Sequence, residues 1–204
     1  MKETLAISER VLGAKDEDTV NVGIQLAEFL MAQNRYQEAE PLIRKVLPGL
    51  AKVSGKEHRD TLAFRLKLIQ TVSEQGRHAE AEKELRSLIA TETRVLGPEY
   101  QYTLTARGNL ARALNDLGRT ADGEKEYREL LPICERVLGP GDANTLRACH
   151  GLAVSLARQG KTTEALPYAK RALAGWKKMH GIDHPDTQAA QNMVDELTKQ
   201  NAKA

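Results

Sequence analysis

RVLGPGDANT (136–145) sets Gly139 six residues ahead of Thr145. RVLGPEYQYT (94–103) sets Gly97 ahead of Thr103 in the same way, 42 residues earlier. MHGIDHPDT (179–187) repeats the arrangement with Gly181 and Thr187, and Gly55–Thr61 and Gly13–Thr19 complete it. Two ladders of five rungs at one interval are not chance, since glycine makes up only about 7% of an average chain. A fixed period in this range means one supersecondary unit stacked repeatedly along an axis. Such an array presents surface to a partner more often than it performs chemistry.

Each period divides in the same way. Between Asp16 and about Gln33, apolar residues fall at Val20, Ile24, Ala27, Leu30 and Met31, which is helical spacing. Asn34-Arg35 interrupts it, and Gly76-Arg77, Gly118-Arg119 and Gly160-Lys161 hold the equivalent place. Gly or Asn there suits the left-handed residue that ends a helix. A second helical pattern runs from Tyr36 to about Val53, through Ala39, Leu42, Ile43, Val46, Leu47 and Leu50, and stops at Gly55. The unit is helix, tight turn, helix, short loop. Asp16 and Asp142 stand where a side chain can cap the free amides of a first turn. His184-Pro185 marks the last such start, because proline is tolerated at the first helical position.

The expected fold is all-α, a right-handed solenoid of helix-turn-helix repeats forming a single domain over 1–204. Residues 1–13 give a partial helix, 14–55, 56–97, 98–139 and 140–181 give four full repeats, and 182–204 give a capping helix and polar tail. The opening ETLAISERVL (3–12) matches the later half of a second helix, as in ICERVL (133–138). Terminal units must cover an otherwise exposed apolar face. The polar last helix, with Asp195, Glu196, Lys199 and Gln200, fits that role.

Composition bounds the function. Thirty basic and 28 acidic residues leave a net charge of +2, which does not mark a nucleic-acid binder. Aromatic residues make up 4% of the chain, so Leu, Ala, Val and Ile must fill the core. No window is long and apolar enough for a membrane span, and residues 1–30 lack a signal-peptide pattern. The expected compartment is the cytoplasm. Cys134 and Cys149 match no zinc spacing and read as small buried apolar residues.

The residues inside the unit narrow the class further. They read L-A-x-x-L-x-x-x-G-R-x-x-E-A-E, seen in LARALNDLGRTADGE (110–124) and LAEFLMAQNRYQEAE (26–40), with TVSEQGRHAEAE at 71–82. Together with the five loops, this resembles the long tetratricopeptide repeats of the kinesin-light-chain type over residues 3–198. The His-Pro-Asp-Thr loop of that family stands complete only at His184–Thr187. Its pair of asparagines appears singly, at Asn109 and Asn192. The small residue of the second helix is Ala39, Ala81 and Ala165, but Gly123 in the third repeat. The resemblance implies a non-catalytic scaffold that docks a protein segment against its first helices, which line a concave surface. It also leaves open a sensor region of a larger signalling protein with a nucleotide-binding switch, and a self-assembling repeat protein.

The face of each first helix opposite the core carries the binding candidates. They are Asn21, Ile24, Glu28 and Met31, then Ala63, Leu66, Gln70 and Ser73. Next come Thr105, Gly108, Arg112 and Asn115, then Arg147, His150, Val154 and Arg158, and finally Asn192 and Glu196. Steps of three or four residues keep each set on one stripe. Ile24, Met31 and Leu66 offer an apolar floor, and Arg112, Arg147, His150 and Arg158 with Asn115 offer donors. That combination suits an acidic-hydrophobic peptide or helix.

Chemistry finds no foothold. His180, Asp183, His184 and Asp186 crowd together in sequence, but His184-Pro-Asp-Thr belongs to the repeat loop and His180 stands in the column of Leu96 and Leu138. No metal is expected there. Cys149 and His150 are helix neighbours about 100° apart and make no nucleophile–base pair. No nucleophile elbow, Walker loop or dinucleotide fingerprint occurs, so neither enzyme activity nor a cofactor is expected.

Overall fold

The computed structural model describes residues 2–202; Met1 and the end of the expected polar tail, 203–204, lie outside the described residues. Ten α-helices account for most of the described chain. They fall into two compact units, one ending at Gly97 and the other beginning at Pro98. The first unit holds α1 (Lys2–Val11), α2 (Glu17–Ala32), α3 (Tyr36–Val53), α4 (Arg59–Glu74) and α5 (His78–Val95). The second holds α6 (Gln101–Asp116), α7 (Thr120–Val137), α8 (Ala143–Arg158), α9 (Thr162–His180) and α10 (Pro185–Asn201). Within each unit, successive helices pack in order as helix-turn-helix repeats.

Both glycine series have a local cause. The loop glycines Gly13, Gly55, Gly97, Gly139 and Gly181 have φ between 83° and 106°, a region that disfavours a Cβ. The tight turns use Asn34 at φ 57° and Gly76, Gly118 and Gly160 at 75–80°. Two rungs of the threonine ladder bond to the first series, while the Thr19 and Thr187 hydroxyls are buried without partners among the described residues. Thr61 Oγ1 donates to the Gly55 carbonyl at 2.7 Å, and Thr145 Oγ1 to the Gly139 carbonyl at 2.8 Å. The hydroxyl thus occupies a carbonyl freed where the second helix ends, and pins the next first helix beside it.

Four first helices, α2, α4, α8 and α10, have side-chain caps at their starts. Asp16 accepts from the Asp18 N–H at 3.0 Å and Asp142 from the Asn144 N–H at 2.8 Å. His58 and His184 do the same through Nδ1, at 3.3 Å from Asp60 N and 3.2 Å from Asp186 N. Pro185 takes the first position of α10, where its missing N–H costs nothing.

Each unit has its own apolar core. Val20, Leu26, Leu30, Ile43 and Leu50 centre the first, and Leu104, Leu130, Leu146, Leu152 and Trp176 the second. Cys134 and Cys149 are free and buried in the second core. Burial pushes both thiols up to about 11, so they act as small apolar side chains.

Between neighbouring repeats one polar contact recurs. Glu40 accepts from Arg44, from Gln75 at 2.8 Å and from Arg77 at 2.6 Å. Glu124 accepts from Arg128, from Gln159 at 2.8 Å and from Lys161 at 2.7 Å. The Lys161 ammonium is the largest influence holding the Glu124 carboxyl down, to about 2. At Glu40 burial raises the carboxyl, but the bonds from Arg77, Arg44 and Gln75 outweigh it.

The ends differ. In α10, Gln188, Asp195 and Thr198 stand 42 residues after Leu146, Ala153 and Leu156, and the polar set is exposed where the apolar set is buried. On α1, Leu5 is buried but Ile7, Val11 and Leu12 are exposed. Phe29 on α2 is also exposed, in a column where Thr71, Ala113, Ser155 and Leu197 are buried.

One core column breaks its pattern. Leu50, Cys134 and Trp176 fill it elsewhere, but α5 puts Glu92 there. Glu92 has no exposed surface, and neither carboxylate oxygen has a hydrogen-bond partner among the described residues. Burial raises its pKa to about 7, against the opposing pull of Arg65 on α4. A raised carboxyl stabilises the folded state fully below the unfolded pKa, and that contribution is lost as pH rises through the folded one. Stability should therefore fall by roughly 2–4 kcal/mol from about pH 4.5 to about pH 7 and level off above. Urea unfolding of the wild type and Glu92→Gln across this range checks it: the substitution should flatten the slope, and Glu92→Leu should raise stability at pH 8. Leu110→Ala, at a position 5% exposed, should cost about 2–5 kcal/mol in the same assay; a cost below about 0.5 kcal/mol would remove this column from the core.

Candidate functional site

Contacts between the helices of each unit decide which stripe residues stay accessible. In the first unit, Lys67 Nζ on α4 reaches Glu28 on α2 at 2.9 Å. Asn21 is exposed, while Ile24 and Met31 are half-buried against the core. On α4, Ala63 and Gln70 are half-buried. Leu66 and Ser73, expected on the open stripe, are buried instead, at 5% and 6% exposure. The Ser73 hydroxyl lies 3.4 Å from Nδ1 of His78. A cleft where α3, α4 and α5 meet is spanned by the ion pairs Arg44–Glu80 at 3.2 Å and Arg65–Glu84 at 3.5 Å.

The second unit shows the same crowding between α6 and α8. Asn115 is buried, and its Nδ2 donates to Ser155 Oγ at 2.8 Å. Arg158 Nη1 donates to the Asn115 carbonyl at 2.5 Å and lies 3.4 Å from Asp116 Oδ1. Both residues join the two helices, so neither stands ready for a ligand as the stripe implied. Thr105 Oγ1 donates to the Gln101 carbonyl at 2.8 Å and lies 3.4 Å from Asn144 Oδ1. The Gly108 carbonyl accepts from the Tyr127 hydroxyl at 3.2 Å.

The other two arginines of the stripe differ in exposure. Arg147 is exposed, its guanidinium 5.8 Å from the Trp176 ring centroid, a cation–π distance. Arg112 is half-buried and lies close enough to Tyr127 for its charge to act there. Val154 is half-buried, and Asn192 and Glu196 are exposed on α10. Burial pulls the His150 imidazole below its ordinary value, against the Asp186 carboxylate, so this side chain is a neutral ring near pH 7 and not a fourth cation. His150 Nδ1 and Asn109 Nδ2 are buried without partners among the described residues. The periodic stripe passed over Asn109; its singular asparagine among Gln25, Lys67 and Gly151 was the available signal.

Of the four crowded His and Asp residues, the structure brings three together: His180, His184 and Asp186 offer donor atoms within 4.8 Å of one another.

Paired antiparallel helices at a constant stride, with capped loops and small residues at the crossings, define a helical-hairpin repeat protein. The tetratricopeptide repeat model matches residues 19–91 and 102–178, and the chain belongs to that family. The family is generally one of protein-binding, typically non-catalytic repeats. No curated protein matches the chain by sequence. Among solved structures, the nearly identical TPR-like repeats of a Podosopora anserina protein of kinesin-light-chain type are similar at TM-score 0.69 and 23% identity. That match covers 90% of this chain and 87% of the other. BtubC (BKLC) from P. vanneervenii is similar at TM-score 0.68 and 20% identity, over 99% of this chain and 88% of that one. Aspartyl phosphate phosphatase F from Bacillus subtilis reaches TM-score 0.74 at 15% identity, over 98% of this chain and 50% of the phosphatase. No helix of the described residues is long and apolar enough to cross a membrane.

Asn115 also explains the glycine in the third repeat. A Cβ on Gly123 would collide with the Asn115 amide oxygen and lie 3.0 Å from the Ala111 carbonyl. The matching residues of the other repeats are Met31, Ser73 and Ala157, opposite Ala39, Ala81 and Ala165. Gly123→Ala, which in an ordinary helix stabilises by about 0.5–1 kcal/mol, should here destabilise by about 1–3 kcal/mol. Adding Asn115→Ser should recover most of the loss; chemical denaturation of the double-mutant cycle measures the coupling.

Proposed function

We propose that this chain is a non-catalytic interaction module whose second unit docks an acidic-hydrophobic protein segment along α6 and α8. The observation that carries the reading is guanidinium charge on both first helices of this part of the unit. Arg112 and Arg147 place guanidinium charge on neighbouring first helices, where carboxylates are held by charge-assisted hydrogen bonds. Asn109 Nδ2 and His150 Nδ1 are buried without partners among the described residues, a state that native structures rarely leave uncompensated. Both atoms are sealed from solvent, so the guanidinium groups make the first contact with a ligand. Val154 offers an apolar side chain on the same unit, and Ile24 and Met31 offer the like on the first unit taken by itself. Membership of a protein-binding repeat family supports a protein partner over a small molecule.

Fluorescence anisotropy with short acidic-hydrophobic peptides tests the reading. The double variant Arg112→Glu, Arg147→Glu should bind at least about tenfold more weakly, a change of about 1.4 kcal/mol. Asn109→Ala should not lower the melting temperature, because it removes an unsatisfied buried group. Undiminished affinity for acidic peptides in the double variant would refute the proposal. Arg158→Glu is not a suitable probe, since that side chain fastens α8 to α6.

A further inference from the structure

We propose that the turn between α9 and α10 is a divalent transition-metal site in which His180, His184 and Asp186 supply three donors. The three come from a connected piece of geometry. α9 ends at His180, and Gly181 at φ 83° turns the chain back on itself. His184 then returns over His180, the two rings stacked with centroids 4.1 Å apart and planes at 21°. His180 in turn stacks on Trp176 at 5.5 Å and 14°. Trp176 is 2% exposed and belongs to the core of the second unit, so the stack has a fixed base.

His184 Nδ1 accepts the capping bond from the Asp186 N–H and lies 3.8 Å from the Asp186 carboxylate, so an ion taken at that nitrogen exchanges the capping bond for a metal bond. One donor atom from each residue falls within 4.8 Å of the others. Donors around tetrahedral zinc stand roughly 3.3 Å apart, from bonds of about 2.0–2.1 Å. The remaining contraction of about 1.5 Å is a rotation of the exposed His180 out of its stack toward the other two. Two imidazoles and one carboxylate form a borderline donor set, which favours zinc or nickel over magnesium or calcium. Arg147, beside Trp176, works against cation binding and keeps the expected affinity modest.

The first unit contains a built-in comparison. His58 caps α4 with the same Nδ1 bond, 3.3 Å from Asp60 N, and lies 3.5 Å from the Asp60 carboxylate. The column that holds His180 in the fourth repeat holds Ser54 there. A capping pair alone therefore lacks the third donor. This is where the sequence reading of His180 changes: Leu96 and Leu138 in its column are half-buried, whereas His180 is exposed beside two further ligands.

Isothermal titration of the full chain with zinc chloride in a non-chelating buffer tests the proposal. One ion should bind per chain, and His180→Ala should weaken binding at least about tenfold, or about 1.4 kcal/mol. His184→Asn and Asp186→Asn should do the same while keeping the helix start, since asparagine caps well and the Asp186 donor is main chain. His58→Asn should leave zinc binding unchanged. Absence of heat with the wild type would overturn the proposal, as would full affinity in His180→Ala or in both asparagine variants. Binding lost in His58→Asn but kept in His184→Asn would place the ion elsewhere and overturn it equally.

Discussion

Everything in this protein follows from the inability of one short helix pair to bury its own apolar face. A pair of helices has two faces to cover and one partner inside the unit, so the second must come from the next pair. Repeating the same contact demands the same loop, with the same length and the same conformation. The left-handed glycine and the threonine that donates to its carbonyl serve that demand at Gly55–Thr61 and Gly139–Thr145. The Glu40 and Glu124 clusters add a polar copy of the same register, each joining helices 35–37 residues apart. Exposed single ion pairs are worth little, but these carboxylates are mostly shielded and each takes several donors.

The departures from the repeat carry the individuality of the chain. Glu92 inserts an ionisable group into a column of Leu, Cys and Trp. Asn115 and Gly123 form a matched pair, the larger side chain made possible by the smaller one. Gln188, Asp195 and Thr198 convert a stacking face into a solvated one at α10. His180 turns a packing position into a possible ligand next to His184 and Asp186. Each is one residue type placed where its column holds another, and each has a consequence that burial or contact makes measurable.

The candidate binding face shows how far periodicity reaches. A helical wheel put Arg112, Arg147, Asn21 and Asn192 on the open stripe; Arg147, Asn21 and Asn192 are exposed and Arg112 is half-buried. It also put Leu66, Ser73, Asn115 and Arg158 on the same open stripe. Leu66 and Ser73 lie buried, and Asn115 and Arg158 are tied between α6 and α8, because those two first helices also pack against each other. His150 kept its position but not its charge, because burial favours the neutral ring.

The sequence by itself determined the stride, the two helices of each unit, the turn and loop residues, and the caps. All of these depend on backbone dihedrals or on contacts a few residues apart, and so are written locally. Only the tertiary structure decided that α6 and α8 consume a flank of each other, that Asn115 meets Ser155 across 40 residues, and that His184 folds back over His180. Those outcomes depend on register and crossing distance between helices, which a one-dimensional period does not contain.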